Sequence, residues 1–456
     1  MVRPTERLTS SRWRAALLLF GVALTGLGWA PPALLAIPIF SRQTGLACSV
    51  CHTTFPELTP FGRQFKLDGF TMSKDSLLIA YEGGGKQAPL SVLGQIPLTI
   101  DLRGAFTQTS SAQPGTRNGN VELPQQVNLY FAGHLAQHFG AYVQMTYSAE
   151  GNHFNFDNSD LRYANQTKLA GKDLSYGVDI NNDPTWEDLW HSTPAYGFPW
   201  ASPDAVPGPA AKSVVDGTLG GDVVGLGAFG MWDSHLYADA TLYRTQHIGG
   251  PQPATGSGYP FNIRQVAPYW RAAYQTSWGG NYLEVGTYGM HVASFPSALS
   301  GPTNDYTDVA ADLQYERALG SDVLSIYSTF IHESQSLNAT FAAGGAAQAS
   351  HTLETFRLNG TYHFGDRYAV TLGGFSTTGT TDAKLYAPAA VTGSATGSPQ
   401  TSGFIANLGY WPVQNIELGI QYTGYSKFNG ASTNYDGSGR NASDNNYLYV
   451  FTWIAY

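Results

Sequence analysis

From about residue 90 to the C-terminus, apolar and polar side chains alternate one by one in stretches of ten to fifteen residues. Over residues 353–364, Phe356, Leu358, Tyr362 and Phe364 share one face, and Arg357, Asn359, Thr361 and His363 the other. After Ile416, Leu418, Ile420 and Tyr422 oppose Glu417, Gly419, Gln421 and Thr423. After Val309, Ala311, Leu313 and Tyr315 oppose Asp312, Gln314 and Glu316. A period of two is the signature of strands, but a soluble sandwich would carry it as well. The turns decide. Seven short connections, at 136–140, 170–172, 232–234, 278–281, 319–322, 364–366 and 411–415, each join two alternating stretches, with longer polar or Gly/Pro-rich segments between the pairs. With residues 91–106 in front and 446–456 behind, the arms predict about sixteen strands. An even count, with short turns alternating with long loops, is the pattern of an antiparallel outer-membrane β-barrel. The last strand ends on Trp453-Ile454-Ala455-Tyr456, which suits barrel closure.

Composition agrees. Charged residues make 12% of the 456, while 52 glycines and 13% aromatic residues are present. A soluble domain carries about 25% charge. Arg3, Arg7, Arg12 and Arg14 precede an apolar run from Ala15 to Ala30, which predicts a secretory signal peptide over 1–36. Its removal takes away four Arg and one Glu and moves the net charge from −9 to −12. An acidic exported chain offers no surface for nucleic acid, whereas an acidic lumen favours cations.

The chemistry is concentrated in residues 37–88, ahead of the barrel at 89–456. Cys48 and Cys51 are the only cysteines, and His52 follows at once. Cys-x-x-Cys-His is the attachment pattern of a c-type haem: each thiol adds to one vinyl group, and the histidine becomes the proximal iron ligand. A thioredoxin-type redox pair would need a βαβ setting, which is absent here. A zinc site would need a second ligand pair, and neither Cys nor His occurs between His52 and His134. Downstream, Thr59 reads as an N-cap, Pro60 as the first helical residue and Gly69 as the stop. Phe61 and Phe65 then share a helix face and could lie against a porphyrin, while Arg63 and Lys66 are candidates for its propionates. Met72, the first methionine after Met1, is the candidate distal ligand, with an inward barrel histidine such as His363 as the weaker choice.

The stretches Ile37-Pro38-Ile39-Phe40-Ser41-Arg42-Gln43-Thr44-Gly45-Leu46-Ala47-Cys48-Ser49-Val50-Cys51-His52, Phe55-Pro56-Glu57-Leu58, Phe61-Gly62-Arg63-Gln64-Phe65-Lys66 and Gly69-Phe70-Thr71 together resemble the fused monohaem cytochrome–porins of iron-oxidising bacteria. The match covers about 35 residues; the barrel agrees in architecture alone. The resemblance implies one covalently bound haem c and electron flow from extracellular Fe(II) to a periplasmic c-type cytochrome or copper protein. Regarded as an enzyme, such a protein is an Fe(II):cytochrome c-type oxidoreductase.

Two other functions fit the same sequence. One is a solute-diffusion porin with a haem-bearing plug or sensor, for which Arg271, Asp312, Glu316 and Arg357 are polar lumen positions. The other is a conduit with a different extracellular donor or acceptor. Glu150, His153, Asp157 and Asp160 in one expected outer loop, and Glu187, Asp188 and His191 in another, are candidates for attracting Fe(II), or else ordinary solvated loop residues. The longest loop, residues 181–220, is either a surface lid or a segment folded inward as a constriction.

Overall fold

The computed structural model of the protein describes residues 38–71, 97–149, 151–204, 206–217, 219–246, 262–296 and 300–456. The expected signal segment, Met72 and Glu150 lie outside these residues. Each short connection foreseen from the sequence closes a hairpin. The hairpins are β2 (Asn120–Ala136) with β3 (Phe139–Ser148), β4 (His153–Leu169) with β5 (Lys172–Asn181), and β6 (Val223–Trp232) with β7 (Leu236–Thr245). Next come β8 (Ala267–Trp278) with β9 (Asn281–Phe295), and β10 (Asn304–Leu319) with β11 (Asp322–Ser336). The last two are β12 (Ser350–Phe364) with β13 (Tyr368–Gly379), and β14 (Thr401–Val413) with β15 (Ile416–Lys427). Asn262–Ile263 continues β8 past an irregularity, pairing with the end of β9. β1 (Leu98–Thr109) pairs with β2 on one side and with β16 (Tyr447–Ala455) on the other, from Asp101 opposite Ala455 to Thr109 opposite Tyr447. The ring of sixteen antiparallel strands is therefore closed, each strand pairing with a neighbour on both sides.

The alternation sorts side chains by face as the sequence foretold. Along β7, Tyr237, Asp239, Thr241 and Tyr243 are buried inward while Leu236 and Leu242 are exposed outward. Along β15, Glu417, Gln421 and Thr423 are buried inside. Phe139, Trp278, Phe364 and Tyr368 stand exposed at the rim of short turns, the position of an interfacial aromatic girdle. An outer face of this kind, on strands paired with a neighbour on either side around a closed ring, suits a bilayer.

Among the described residues, the N-terminal segment and the 182–222 loop occupy the bore. The helices α1 (Ile39–Thr44), α2 (Cys48–Cys51) and α3 (Pro60–Leu67) lie against the inner wall. Ile39 N donates to Thr99 Oγ1 at 2.6 Å and Gln43 Nε2 to Ala132 O at 3.0 Å. Cys48 N donates to Gln414 Oε1 at 3.2 Å, which places this segment at the rim of short turns. Thr59 caps α3 by accepting from Gly62 N at 3.2 Å, Pro60 opens it, and Gly69 turns away from it at φ +70°.

The wall accommodates the segment through a missing side chain. A Cβ on Gly140 of β3 would stand 1.8 Å from the Gly69 carbonyl oxygen. Gly140→Ala is therefore expected to push the 38–71 segment off β3 at a cost of about 1–3 kcal/mol, the usual range for overpacking. A lower urea midpoint and faster protease cleavage near residue 69 would show it; an unchanged midpoint would mean the segment is not seated there.

Candidate functional site

The Cys-Ser-Val-Cys turn is one helical turn long, and both thiols are free and half-buried. Burial, helped by the neighbouring Cys48, pushes the Cys51 thiol up to about 11, so it is a neutral thiol. His52 leaves the helix in an extended conformation, and a bridge to Leu58 folds residues 52–58 into a loop. Its Nδ1 lies 3.2 Å from the Glu57 carbonyl oxygen. That bond orients the ring and makes Nε2 the nitrogen a metal would take. Burial holds the imidazole down at about 4, against hydrogen bonds to the Glu57 and Pro56 carbonyls, so the ring is neutral, as ligation requires.

Glu57 anchors this loop to the barrel. Its Oε2 accepts from Thr53 Oγ1 at 3.1 Å and from Ser325 Oγ at 3.2 Å, and lies 3.4 Å from His363 Nε2. His363 does point inward, but Thr54 Oγ1 at 2.9 Å and Ser325 Oγ at 3.2 Å occupy its two nitrogens, so it serves the wall and not an iron. Phe55 and Phe61 are large apolar side chains of the described segment that remain exposed, at 40% and 39%. Two free thiols on one turn, an oriented neutral imidazole and uncovered aromatic surface fit a covalently attached haem.

Arg63 and Lys66 face elsewhere than expected. Arg63 donates to both oxygens of Glu316, at 2.8 and 3.3 Å, and to the Leu58 carbonyl at 2.7 Å. Lys66 Nζ spends its three donors on the Trp186 and Asp188 carbonyls, at 2.6 and 2.8 Å, and the Tyr196 hydroxyl at 2.8 Å. Both heads are buried and bind the barrel wall and the long loop, which leaves Lys66 no donor for a propionate. The reason is the filled lumen: a helix enclosed on several sides must pair its cations within the protein.

The long loop, residues 182–222, folds inward. Asp188 shapes it: Oδ2 accepts from Ser192 N (2.8 Å), Thr193 N (3.0 Å) and Thr193 Oγ1 (3.0 Å), and Oδ1 from Trp190 N (2.9 Å). Arg271 on β8 then ties loop to wall, reaching Asp312 at 2.7 Å, Glu284 at 3.0 Å and Asp188 at 3.2 Å. His191 donates from Nδ1 to the Pro56 carbonyl at 2.8 Å and stacks on Tyr196 at 3.6 Å. Its Nε2 is buried without a partner. Glu187, Asp188 and His191 are thus not solvated loop residues, and Asp157 and Asp160 belong to β4, because the β3–β4 connection shrinks to 149–152. Sequence reading missed Asp179, Arg162 and Asp239; their inward register in β5, β4 and β7 was the available signal.

The loop carries a pH signature. Burial, with Asp157 second, pushes the Asp183 carboxyl up to about 8 against Lys212 and Lys66. Between about pH 4 and pH 8 the folded chain holds a proton that the unfolded chain has lost, so stability falls as pH rises through that window. The thermal midpoint of Asp183→Asn should show a shallower fall from pH 5 to 8 than that of the parent; parallel curves would exclude this group as the source.

These features define a sixteen-stranded porin-like barrel whose lumen holds an N-terminal Cys-x-x-Cys-His segment and an inward loop. No family model matches the chain, and no curated protein matches it in sequence. Among solved structures it is similar to OmpF of Salmonella typhi, in complex with daunomycin, at 12% identity and TM-score 0.48, covering 79% of this chain and 97% of that one. It is similar as well to the outer-membrane channel DcaP of Acinetobacter baumannii, at 10% identity and TM-score 0.46, covering 79% and 96%. OmpT of Vibrio cholerae matches at 9% identity and TM-score 0.42, covering 79% and 96%.

Proposed function

We propose that this chain is an outer-membrane electron conduit that carries one haem c on Cys48 and Cys51, with His52 as proximal ligand. Electrons enter from an extracellular donor, Fe(II) by the resemblance of the segment, and leave to a periplasmic c-type cytochrome or copper protein. The observation that carries the reading is the seat of the Cys-x-x-Cys-His turn: inside a closed barrel, at the rim of short turns, with the 182–222 loop folded in beside its segment. In outer-membrane barrels the short turns are periplasmic. A haem bound there supplies a one-electron iron couple. The protein's own part is to orient His52 through Glu57, to fix that loop to β11 and β12, and to exclude water with the inward loop.

The test has two arms. Protein purified after export should retain haem through denaturing electrophoresis, and Cys48→Ala/Cys51→Ala should lose it. Haem still attached in the double variant would end the assignment. Anaerobic Fe(II) should then reduce the haem of the parent protein, and an unreduced haem would remove Fe(II) as donor. A diffusion porin is the second reading, favoured by the closed barrel and its charged inner wall. A large steady bilayer current through the haem-loaded protein would select it.

A further inference from the structure

We infer that Asp160, Asp179 and Glu187 form a binding site for one hard divalent cation inside the barrel. Each offers a ligand atom, and these atoms all lie within 4.8 Å of one another. Oxygens around one divalent ion at about 2.1–2.4 Å span at most about 4.2–4.8 Å, so the cluster has the dimensions of a coordination sphere. The three come from separate elements, β4, β5 and the inward loop, and all are at least 98% buried.

Each carboxylate uses one oxygen on a protein donor and leaves the other unsatisfied. Asp160 Oδ2 and Glu187 Oε1 bind Arg162 at 2.5 and 2.8 Å, and Asp179 Oδ2 accepts from Asn181 Nδ2 at 2.6 Å. Asp160 Oδ1, Asp179 Oδ1 and Glu187 Oε2 are buried without a partner. A second kind of group converges on Asp179, one of the three. Thr241 Oγ1 on β7 is also without a partner, on a residue 99% buried. It lies 2.4 Å, and Asp179 Oδ1 2.6 Å, from the point where a Cβ on Gly227 would stand. The glycine keeps open the space on which both oxygens converge.

Charge sets the valence. Arg162 and Lys66 stand among four buried carboxylates, Asp160, Asp179, Glu187 and Asp239, which leaves two negative charges in a setting where unpaired charge is costly, and a divalent cation cancels them. Lys66 lends its charge but no hydrogen bond to them, because its donors go to carbonyls and a hydroxyl. An all-oxygen set selects Mn(II), Fe(II), Mg(II) or Ca(II) over softer metals. Arg162 also donates to the Lys66 carbonyl at 3.1 Å and covers the Phe70 ring at 5.1 Å, so the site borders the end of α3 and its following turn. The site stands without the haem; its use as the place where Fe(II) gives up an electron rests on the conduit reading.

The probe is Mn(II). Full-length protein in detergent is stripped with chelator, equilibrated overnight with Mn(II), and titrated by loss of the free-ion EPR signal. One bound Mn(II) per chain is expected, weakened more than about tenfold in Asp179→Asn and in Glu187→Gln, since even outer-shell changes at metal sites reach that size. Thr241→Val, which leaves all charges in place, should weaken it less, and Glu417→Gln, a buried carboxylate of another wall, should leave it unchanged. The heat-modifiable gel shift verifies that each variant is a folded barrel. No stoichiometric Mn(II), or equal affinity in folded Asp179→Asn, Glu187→Gln and Thr241→Val, overturns the site. Mn(II) binding intact beside a haem that Fe(II) does not reduce removes Fe(II) as the donor and leaves the site standing.

Discussion

Arg271→Met is expected to open the barrel. The guanidinium is fully buried and is shared by Asp312 at 2.7 Å, Glu284 at 3.0 Å and Asp188 at 3.2 Å. Two of these carboxylates belong to the wall, in β9 and β10, and the third organises the inward loop. Methionine fills most of the volume and removes the charge, leaving three buried carboxylates facing one another. Removing one partner from a buried pair costs about 3–5 kcal/mol. The loop holds the weakest part of this network, so relief comes by its departure into water rather than by unfolding of the wall. The variant should therefore show two changes together: a lower thermal midpoint and a larger conductance in planar bilayers than the parent. Arg271→Lys should fall between, since a single ammonium cannot face three acceptors in a fixed fork. A variant with the parent's conductance and midpoint would show that Arg271 does not hold the loop.

The wall was legible in the sequence because a barrel strand obeys a local rule. Phe356 and Leu358 must face out if Arg357 and Asn359 face in, and a turn such as 364–366 can be recognised from its own residues. Thr59, Pro60 and Gly69 were legible for the same reason, since a cap is a contact between residues three apart. The interior was not legible. Inward polarity at Arg162, Arg271 and Asp312 says that these side chains avoid lipid, yet it cannot say whether they meet water or one another. That is settled by a loop whose anchors are far apart in sequence: Ser192 bonds Asp312 and Arg357 bonds Asp216. The same gap explains why Glu187 and Asp188 read as solvated acids and Arg63 and Lys66 as free cations. The wall and loop partners of Arg63 and Lys66 lie 253, 120 and 122 residues away, and Glu187 and Asp188 meet Arg162 and Arg271 on separate strands.

Gly62→Ala should uncouple the two halves of the N-terminal segment. A Cβ at this position would stand 2.2 Å from the Cys51 carbonyl oxygen and 3.1 Å from its carbon. That carbonyl accepts from Thr59 N at 2.9 Å, so it is fixed in place and cannot swing aside cheaply. The methyl must lift α3 away from α2, losing this hydrogen bond and the fit of the cap; overpacking of this kind costs about 1–3 kcal/mol, and the lost bond about 1 more. The barrel wall makes no use of Gly62, so its heat-modifiable gel shift should survive. The loss should fall on the Cys48–His52 turn, whose geometry any haem-attachment machinery must find intact. Under the proposed function, exported Gly62→Ala protein would carry a smaller fraction of covalently bound haem, in a barrel of unchanged melting behaviour above the transition of the N-terminal segment. Haem content equal to that of the parent would show that close packing of α3 on α2 is not what presents the two thiols.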